Sequence, residues 1–348
     1  MKTLPKTLCL LACLAALLSP LPARAEAAPP PNCAYNPSVE ALLTQTGPER
    51  WLAWIKQLSG ALPVTVAGDP YFILSRDTQS MFSGREPARA FDYVLQTVRA
   101  WVRADQIELD EYNRLNGLPW YNLIVTFPGT VYPDEVVVLA GHLDSKSETK
   151  PLTGAPGADD NATGAATLLE AVRLFRDAHF QRTVQVIFFT GEELGMLGSQ
   201  GYVKDHDTRR IVAVYNMDMF GYDGDGDRCF EIHVGRLPES DLVGSCVKRV
   251  IQSYSLNLTY DYLTDQGRTF SDHSSFWNAG VGAVLLMENM FEQNQKEQGG
   301  CARPDNSPFY HTTLDVLTKS VNVSTGFDIA RAGLAAAASL ARPVEGEK

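Results

Sequence analysis

Cysteine and histidine are both scarce: six of each stand in a chain of 348 residues. No CxxC pair occurs, which excludes zinc fingers, zinc ribbons and thioredoxin-type redox motifs. Positive charge is also in short supply, with 30 Lys and Arg against 41 Asp and Glu for a formal net charge of −11. That balance argues against nucleic acid or an anionic membrane surface as a partner. Long apolar runs are missing as well. The only candidate, "LCLLACLAALLS", lies near the N-terminus and falls short of the ~20 residues needed to span a bilayer. There is no internal repeat, and no linker-like shift in composition follows residue 40 or so.

That short run reads as an export signal. Lys2 and Lys6 precede it, and Ala23-Arg24-Ala25 supplies a small-x-small cleavage site. The expectation is a signal peptide over residues 1–25, a Pro-rich leader over 26–40 and one domain over 41–348. The mature protein is then secreted or periplasmic. A lipoprotein-type cleavage at Cys13 is the weaker alternative. Cys33, Cys229, Cys246 and Cys301 remain after cleavage, and in an oxidising compartment they allow up to two disulfides with three possible pairings.

What is present is a change of period along the chain. "VEALLTQTGPERWLAWIKQLSG" and "PARAFDYVLQTVRAWVRA" carry apolar residues at helical spacing, with Phe91, Val94, Leu95, Val98 and Trp101 on one stripe. Short β-branched or aromatic runs come next in "YNLIVTFPG", "DEVVVLAGHLDS", "TVQVIFFTGEE", "IVAVYNMDMFGYDGD" and "GAVLLMEN". Helical patterns fall between them in "ATGAATLLEAVRLFRDA" and "SDLVGSCVKRVIQSY", and another, "TGFDIARAGLAAAASLAR", closes the chain. Apolar strands alternating with helices predict an α/β fold, with a mixed, mostly parallel central sheet covered by helices on both faces.

The chemistry-bearing residues sit where such strands end. "VVVLA" runs into His142 and Asp144, "VQVIFF" into Glu192 and Glu193, "IVAVYN" into Asp218, and "SPFY" into His311. Asp159 and Asp160 stand at a helix start. Each feature alone has an ordinary reading: a helix cap for the aspartate pair, an exposed turn for the glutamates, a hydrogen-bonded loop for His142 and Asp144. Together they are acids and imidazoles converging beyond the carboxyl ends of strands, where ligands bind in open α/β sheets. Two His and three carboxylates suit zinc or a similar divalent ion. Five such ligands are too many for one catalytic ion and suit two ions that share a carboxylate.

The segments "GHLDS", "GADDNATG", "TGEELGMLGSQGY", "NMDMFGYDGDG", "SDHSSFWNAG" and "FYHTTLDV" resemble, in order and spacing, the di-zinc aminopeptidases of metallopeptidase family 28, the secreted bacterial leucyl type in particular. The resemblance covers roughly residues 50–345. It implies a zinc-exopeptidase (phosphorylase/hydrolase-like) fold and two Zn2+ ions per chain. It also implies peptide substrates and a monomer. Residue by residue, it implies that Asp159 bridges the ions, that His142 and Asp218 complete one site, and that Glu193 and His311 complete the other. Glu192 is then the general base and Asp144 the acid that orients His142. The peptide bond after the bridging aspartate is expected to be cis. His273 is expected near the site but off the metal, either supporting the ligands from behind or on the substrate side.

One departure stands out. Where relatives carry an oxyanion-stabilising tyrosine shortly before "SDH", this chain offers Arg268. It is a candidate for the oxyanion, for a substrate carboxylate, or for a structural role. The reading is therefore an exported aminopeptidase, with a carboxypeptidase or amidohydrolase of the same fold as the alternative. A glutaminyl cyclase and a non-catalytic binding relative fit less well. "YDGDGDR" hints at calcium, but counting from Asp223 or Asp225 places Val234 or Arg236 where a calcium loop needs Glu, so it is read as an acidic turn.

Overall fold

The structure, a computed structural model, describes residues 33–82, 89–265, 267–291 and 300–344. The expected signal over 1–25 lies outside them, as does the leader up to residue 32. The remainder of that leader is not idle. Cys33 is buried, and α1 (Pro37–Leu43) starts inside the stretch expected to pack little, with Val39 fully buried and Asn36 capping Ser38 N. Two disulfides join Cys33 to Cys246 and Cys229 to Cys301, with Cα–Cα separations of 5.3 and 5.4 Å.

After α2 (Pro48–Leu58), β1 (Val64–Val66) and β2 (Asp69–Tyr71) pair as a separate ribbon. Helices α3 (Thr78–Met81) and α4 (Arg89–Arg99) come after it. The central sheet holds β3 (Ile107–Leu115), β4 (Leu118–Phe127), β5 (Tyr132–His142), β6 (Arg182–Phe189), β7 (Ile211–Met217), β8 (Cys229–His233), β9 (Thr259–Leu263) and β10 (Ala283–Glu288). Its order is β3-β4-β6-β5-β7-β10-β8-β9. The middle four strands, β6, β5, β7 and β10, run parallel to one another. Antiparallel pairings bring in β3 and β4 on one side and β8 on the other, and β9 joins β8 in parallel.

Side chains alternate across the sheet and both faces are covered, as a doubly covered α/β sheet requires. Leu139, Val186, Phe188, Tyr215, Met217 and Leu286 point into one core with α2, α5 (Ala162–Phe175), α7 (Pro238–Ser253) and α10 (Val323–Ala341). Val138, Ala140, Ile187, Phe189 and Val214 point to the other, where Tyr202 of α6 (Leu197–Asp205) and Phe276 of α8 (His273–Asn278) cover them. The short α9 (Leu317–Ser320) precedes α10. Central α5 is buried almost all round, which explains its Ala-, Gly- and Leu-rich composition. Three strands of the central sheet escape the apolar-run reading, β3, β8 and β9, as do β1 and β2 of the ribbon. The three in the central sheet carry Glu108, Asp110, Glu231, His233 and Asp261 within short runs. The segment "SPFY", read as a strand mouth, forms a turn before His311. Among the described residues no helix is long and apolar enough to cross a membrane.

Candidate active site

Parallel β5, β6 and β7 end at the same edge of the sheet, so the residues at their carboxyl ends meet. His142 is the last residue of β5. Thr190-Gly191 turns the chain after β6 into Glu192 and Glu193, and Asp218 comes directly after β7. The β6 turn needs Gly191: its φ is +74°, a region glycine enters without penalty, and an added Cβ would lie 2.8 Å from the Tyr112 hydroxyl.

Asp160, not Asp159, stands between the imidazoles. Its Oδ1 lies 3.3 Å from His142 Nε2 and its Oδ2 lies 3.3 Å from His311 Nε2. Each imidazole faces a second acid through the same nitrogen. Asp218 Oδ1 is 2.9 Å from His142 Nε2 and Glu193 Oε2 is 3.0 Å from His311 Nε2. Two three-residue sets therefore share one carboxylate.

The expectation for Asp159 is corrected. Its Oδ1 accepts the Gly221 N–H at 2.7 Å, and its carboxyl is turned to that of Glu288. Burial pushes Asp159 up to about 8 even though its contact with Glu288 works the other way, and burial with Asp159 beside it raises Glu288 well above the usual carboxyl range. Two buried acids facing each other keep a proton, so Asp159 is a packed carboxylic acid rather than a charge facing the imidazoles. The cis peptide bond comes after Asp160, joining it to Asn161. Of the three residues it is Asn161 that caps α5, its Oδ1 accepting the Gly164 N–H at 2.9 Å.

Asp144 also differs from its expected part. His142 Nδ1 meets the Asp144 carbonyl at 3.1 Å, while the carboxylate lies 3.6 Å away. That carboxylate takes Thr78 Oγ1 at 2.6 Å and the backbone N–H groups of Glu192 and Glu193 at 3.4 and 3.2 Å. It thus holds the glutamate turn while its own carbonyl fixes the imidazole, a common support for a ligating histidine.

Several supporting residues were not assigned a part from the sequence. Asp315 accepts the backbone N–H of Asp159 on one oxygen and that of Asp160 on the other, at 3.0 and 3.1 Å. Arg76 is fully buried and donates to the carbonyls of Leu58, Leu143, Pro156 and Gly157. Burial lowers it to about 10. Tyr310 stacks on His311 with ring centroids 3.7 Å apart. Its position directly before His311 was the one sequence signal for it.

Electrostatics set this cluster apart. Burial works against charge on His142 and His311, yet the surrounding carboxylates raise His142 well above its usual value and His311 to about 9. Burial raises Glu193 to about 7 and Glu192 well above the usual range. Asp160 goes the other way: burial would raise it, but its contacts to both imidazoles hold it below the usual carboxylate range. Glu193 Oε1 is buried and has no hydrogen-bond partner. A buried acceptor without a donor, in a group where His142, Asp160 and Glu193 bring ligand atoms within 4.8 Å of one another, fits a divalent cation of the zinc type.

A cavity of about 250 Å³ opens beside the cluster. Asp160, Glu192, Asp218 and His311 line it together with Arg268, Tyr310 and the mutually packed Met219, Leu285, Met287 and Phe291. The Arg268 guanidinium lies over the Phe291 ring, 4.5 Å from its centroid, and its Nε has no hydrogen-bond partner. His273 is fully buried, stacks edge-on against Trp277 and donates from Nε2 to the Arg268 carbonyl at 2.7 Å. Burial pushes it down to about 3. It contacts the cavity wall through Arg268 rather than the imidazole–carboxylate cluster.

Comparison with known proteins supplies a family and a fold. The family model described as Peptidase family M28 matches residues 122–334. A probable leucine aminopeptidase of Trichophyton verrucosum is 30% identical over 261 residues, 70% of this chain and 66% of the relative. Leucine aminopeptidase 1 of Trichophyton equinum is 33% identical over 181 residues, 49% of this chain and 48% of the relative. The chain thus spans between about half and two thirds of the length of these curated relatives. Among solved structures, the LapA aminopeptidase of Legionella pneumophila superposes with a TM-score of 0.69 at 18% identity, covering 94% of this chain and 79% of that one. A glutaminyl cyclase from an Acidobacteriales bacterium gives 0.61 at 18% identity, covering 85% and 97%. At such identities the structural likeness speaks for the fold. The family match takes in His142, Asp160, Glu192, Glu193, Asp218 and His311, and the chain belongs to peptidase family M28.

Proposed function

We propose that this protein is a zinc-dependent aminopeptidase that removes N-terminal residues, apolar ones foremost, from peptides. The observation that carries the reading is the placement of Asp160 with one carboxylate oxygen toward each imidazole. His142, Asp160 and Asp218 would hold one Zn2+; His311, Asp160 and Glu193 would hold a second. Bound zinc supplies Lewis acidity toward a carbonyl and lowers the pKa of a water toward about 7.

The chain's own residues do the rest. Glu192 borders the cavity and makes no ion pair among the described residues. Burial raises its proton affinity well above the usual range. It accepts a proton from the attacking water and returns it to the leaving amine. The Tyr310 hydroxyl borders the cavity and is a donor for a carbonyl oxygen that gains charge, while Arg268 lines the cavity where the substrate's first side chain would lie. Asp218 and Glu193 offer acceptors to the substrate's ammonium group. Met219, Leu285, Met287 and Phe291 give an apolar side chain a place to bury. The two disulfides and the N-terminal signal pattern support export.

A second reading, a carboxypeptidase, rests on Arg268 as a cation for a terminal carboxylate. Nitroanilides of Leu, Ala, Lys and Glu, run beside N-blocked peptides with and without a chelator, separate the two. The aminopeptidase reading expects chelator-sensitive cleavage, fastest for leucyl, and no action on blocked peptides. Release of C-terminal residues from blocked peptides would sink it.

A further inference from the structure

Glu231 and His233 are fully buried, lie outside the imidazole–carboxylate cluster and have no part in the proposed hydrolysis. They alternate on β8, pointing to the same face of the sheet. In register they oppose Met287 and Leu285 of β10, two residues of the cavity wall. Glu231 Oε2 lies 2.7 Å from His233 Nε2. What each does with its other polar atom is the informative part. Glu231 Oε1 accepts the backbone N–H of Phe291 at 2.8 Å, and His233 Nδ1 accepts the backbone N–H of Arg268 at 3.0 Å. A backbone N–H can only donate, so Nδ1 carries the lone pair and the ring proton sits on Nε2, donated to Glu231. One buried pair thus ties down two loops far apart in sequence, and the residues it holds are the two in cation–π contact at the cavity wall. The Phe291 ring packs edge-on against His233 itself.

We propose that the Glu231–His233 pair is a positioning device for the substrate cavity, fixing Arg268 and Phe291 together and so setting how tightly the first side chain of the peptide is held. The inference rests on the peptidase reading for its substrate, not for its geometry. It predicts an order among near-isosteric replacements. His233→Asn puts an amide oxygen where Nδ1 stood and keeps the partner of Arg268. His233→Gln keeps a donor to Glu231 but leaves the Arg268 N–H without an acceptor. Glu231→Gln cannot serve both neighbours: its oxygen satisfies either Phe291 or His233, and its amide group opposes a donor at the other.

The test is steady-state kinetics on leucyl-nitroanilide with the zinc-loaded full chain, beside nitrogen-detected NMR of the histidine rings in the wild type. Expected are a rise in KM of about tenfold in His233→Gln and Glu231→Gln, the effect of stranding a buried donor. The same variants should show kcat within about twofold of wild type and unchanged zinc content, with His233→Asn clearly milder in KM. The wild-type ring should carry its proton on Nε2. Unchanged KM in both Gln variants, a loss confined to kcat, or equal effects of Asn and Gln at position 233 would overturn the proposal. So would a proton on Nδ1, whatever the variants do. A wild type that fails to cleave the leucyl substrate would count against the peptidase reading instead, leaving the ring tautomer to decide the clamp.

Discussion

Two carboxylate oxygens of Asp160 facing two imidazoles at 3.3 Å each make this side chain the shared member of both proposed ion sites, while Glu192 beside it holds no ligand position. Glu192→Gln should therefore leave metal content intact and lower kcat by about 10²–10⁴, the usual worth of a general base; full activity in that variant, measured on a leucyl substrate, would refute the assignment. The pattern of acids and histidines at strand ends identified five of the six residues in this cluster. It missed by one position at Asp159-Asp160, because two adjacent aspartates at a helix start are equivalent in sequence. They are told apart only by what lies across from each: Glu288 and Gly221 N–H for one, two imidazoles for the other. Arg76 and Glu288 stayed hidden because each works through contacts distant in the chain, with no short motif to mark it. Asp315 and Tyr310 lie within "FYHTTLDV", but nothing in that segment's sequence shows what each of them touches.

Asn161 shows what one cap does for the start of α5. Its amide accepts from Gly164 N, donates to Met217 O at 2.9 Å and accepts from Met219 N at 3.3 Å, joining the helix to the end of β7. Asn161→Ala should destabilise the fold by about 2–4 kcal/mol through the lost cap and stranded backbone groups. Urea unfolding in the presence of a chelator measures this without a contribution from metal, and a loss under half a kcal/mol would contradict the role. The elements legible from periodicity were the long or strongly apolar ones: α4, α5, α7, α10 and the central parallel strands. β8 and β9 were not, since short runs carrying Glu231, His233 and Asp261 lack the apolar signature. Those polar residues are nevertheless buried, each spoken for by hydrogen bonds that only the folded chain provides.

The metal-free molecule as a whole concentrates buried acids on one edge of its sheet. Burial first of all raises Asp159 to about 8, Asp272 and Glu193 to about 7 and Asp315 to about 6, against about 4 for unfolded carboxyls. Their carboxylate neighbours hold His311 at about 9. All of these groups bind protons more tightly folded than unfolded, so their contribution is fully present at low pH and is lost as pH rises through about 4 to 9. Asp160 opposes them, being held low, but it is one group against five. Chelated protein should therefore lose stability between pH 5 and pH 8 in urea unfolding, and zinc should restore it at the upper end. Stability that rises with pH in the chelated protein would contradict this account of the site's charge. The fold class was readable from alternating strands and helices, and the family from the order of its motifs. The disulfide pairing was not, because Cys33 meets Cys246 only through the packing of α1 and its flank against the body of the fold.

The central claim is that Asp160 is shared by two zinc ions while Asp159 touches neither. Zinc bound per chain at saturation, measured by elemental analysis on the wild type, Asp159→Asn and Asp160→Asn, tests it directly. The account predicts two equivalents in the wild type and in Asp159→Asn, and a loss of at least one in Asp160→Asn. A single equivalent in the wild type, or zinc lost from Asp159→Asn and retained by Asp160→Asn, would contradict it.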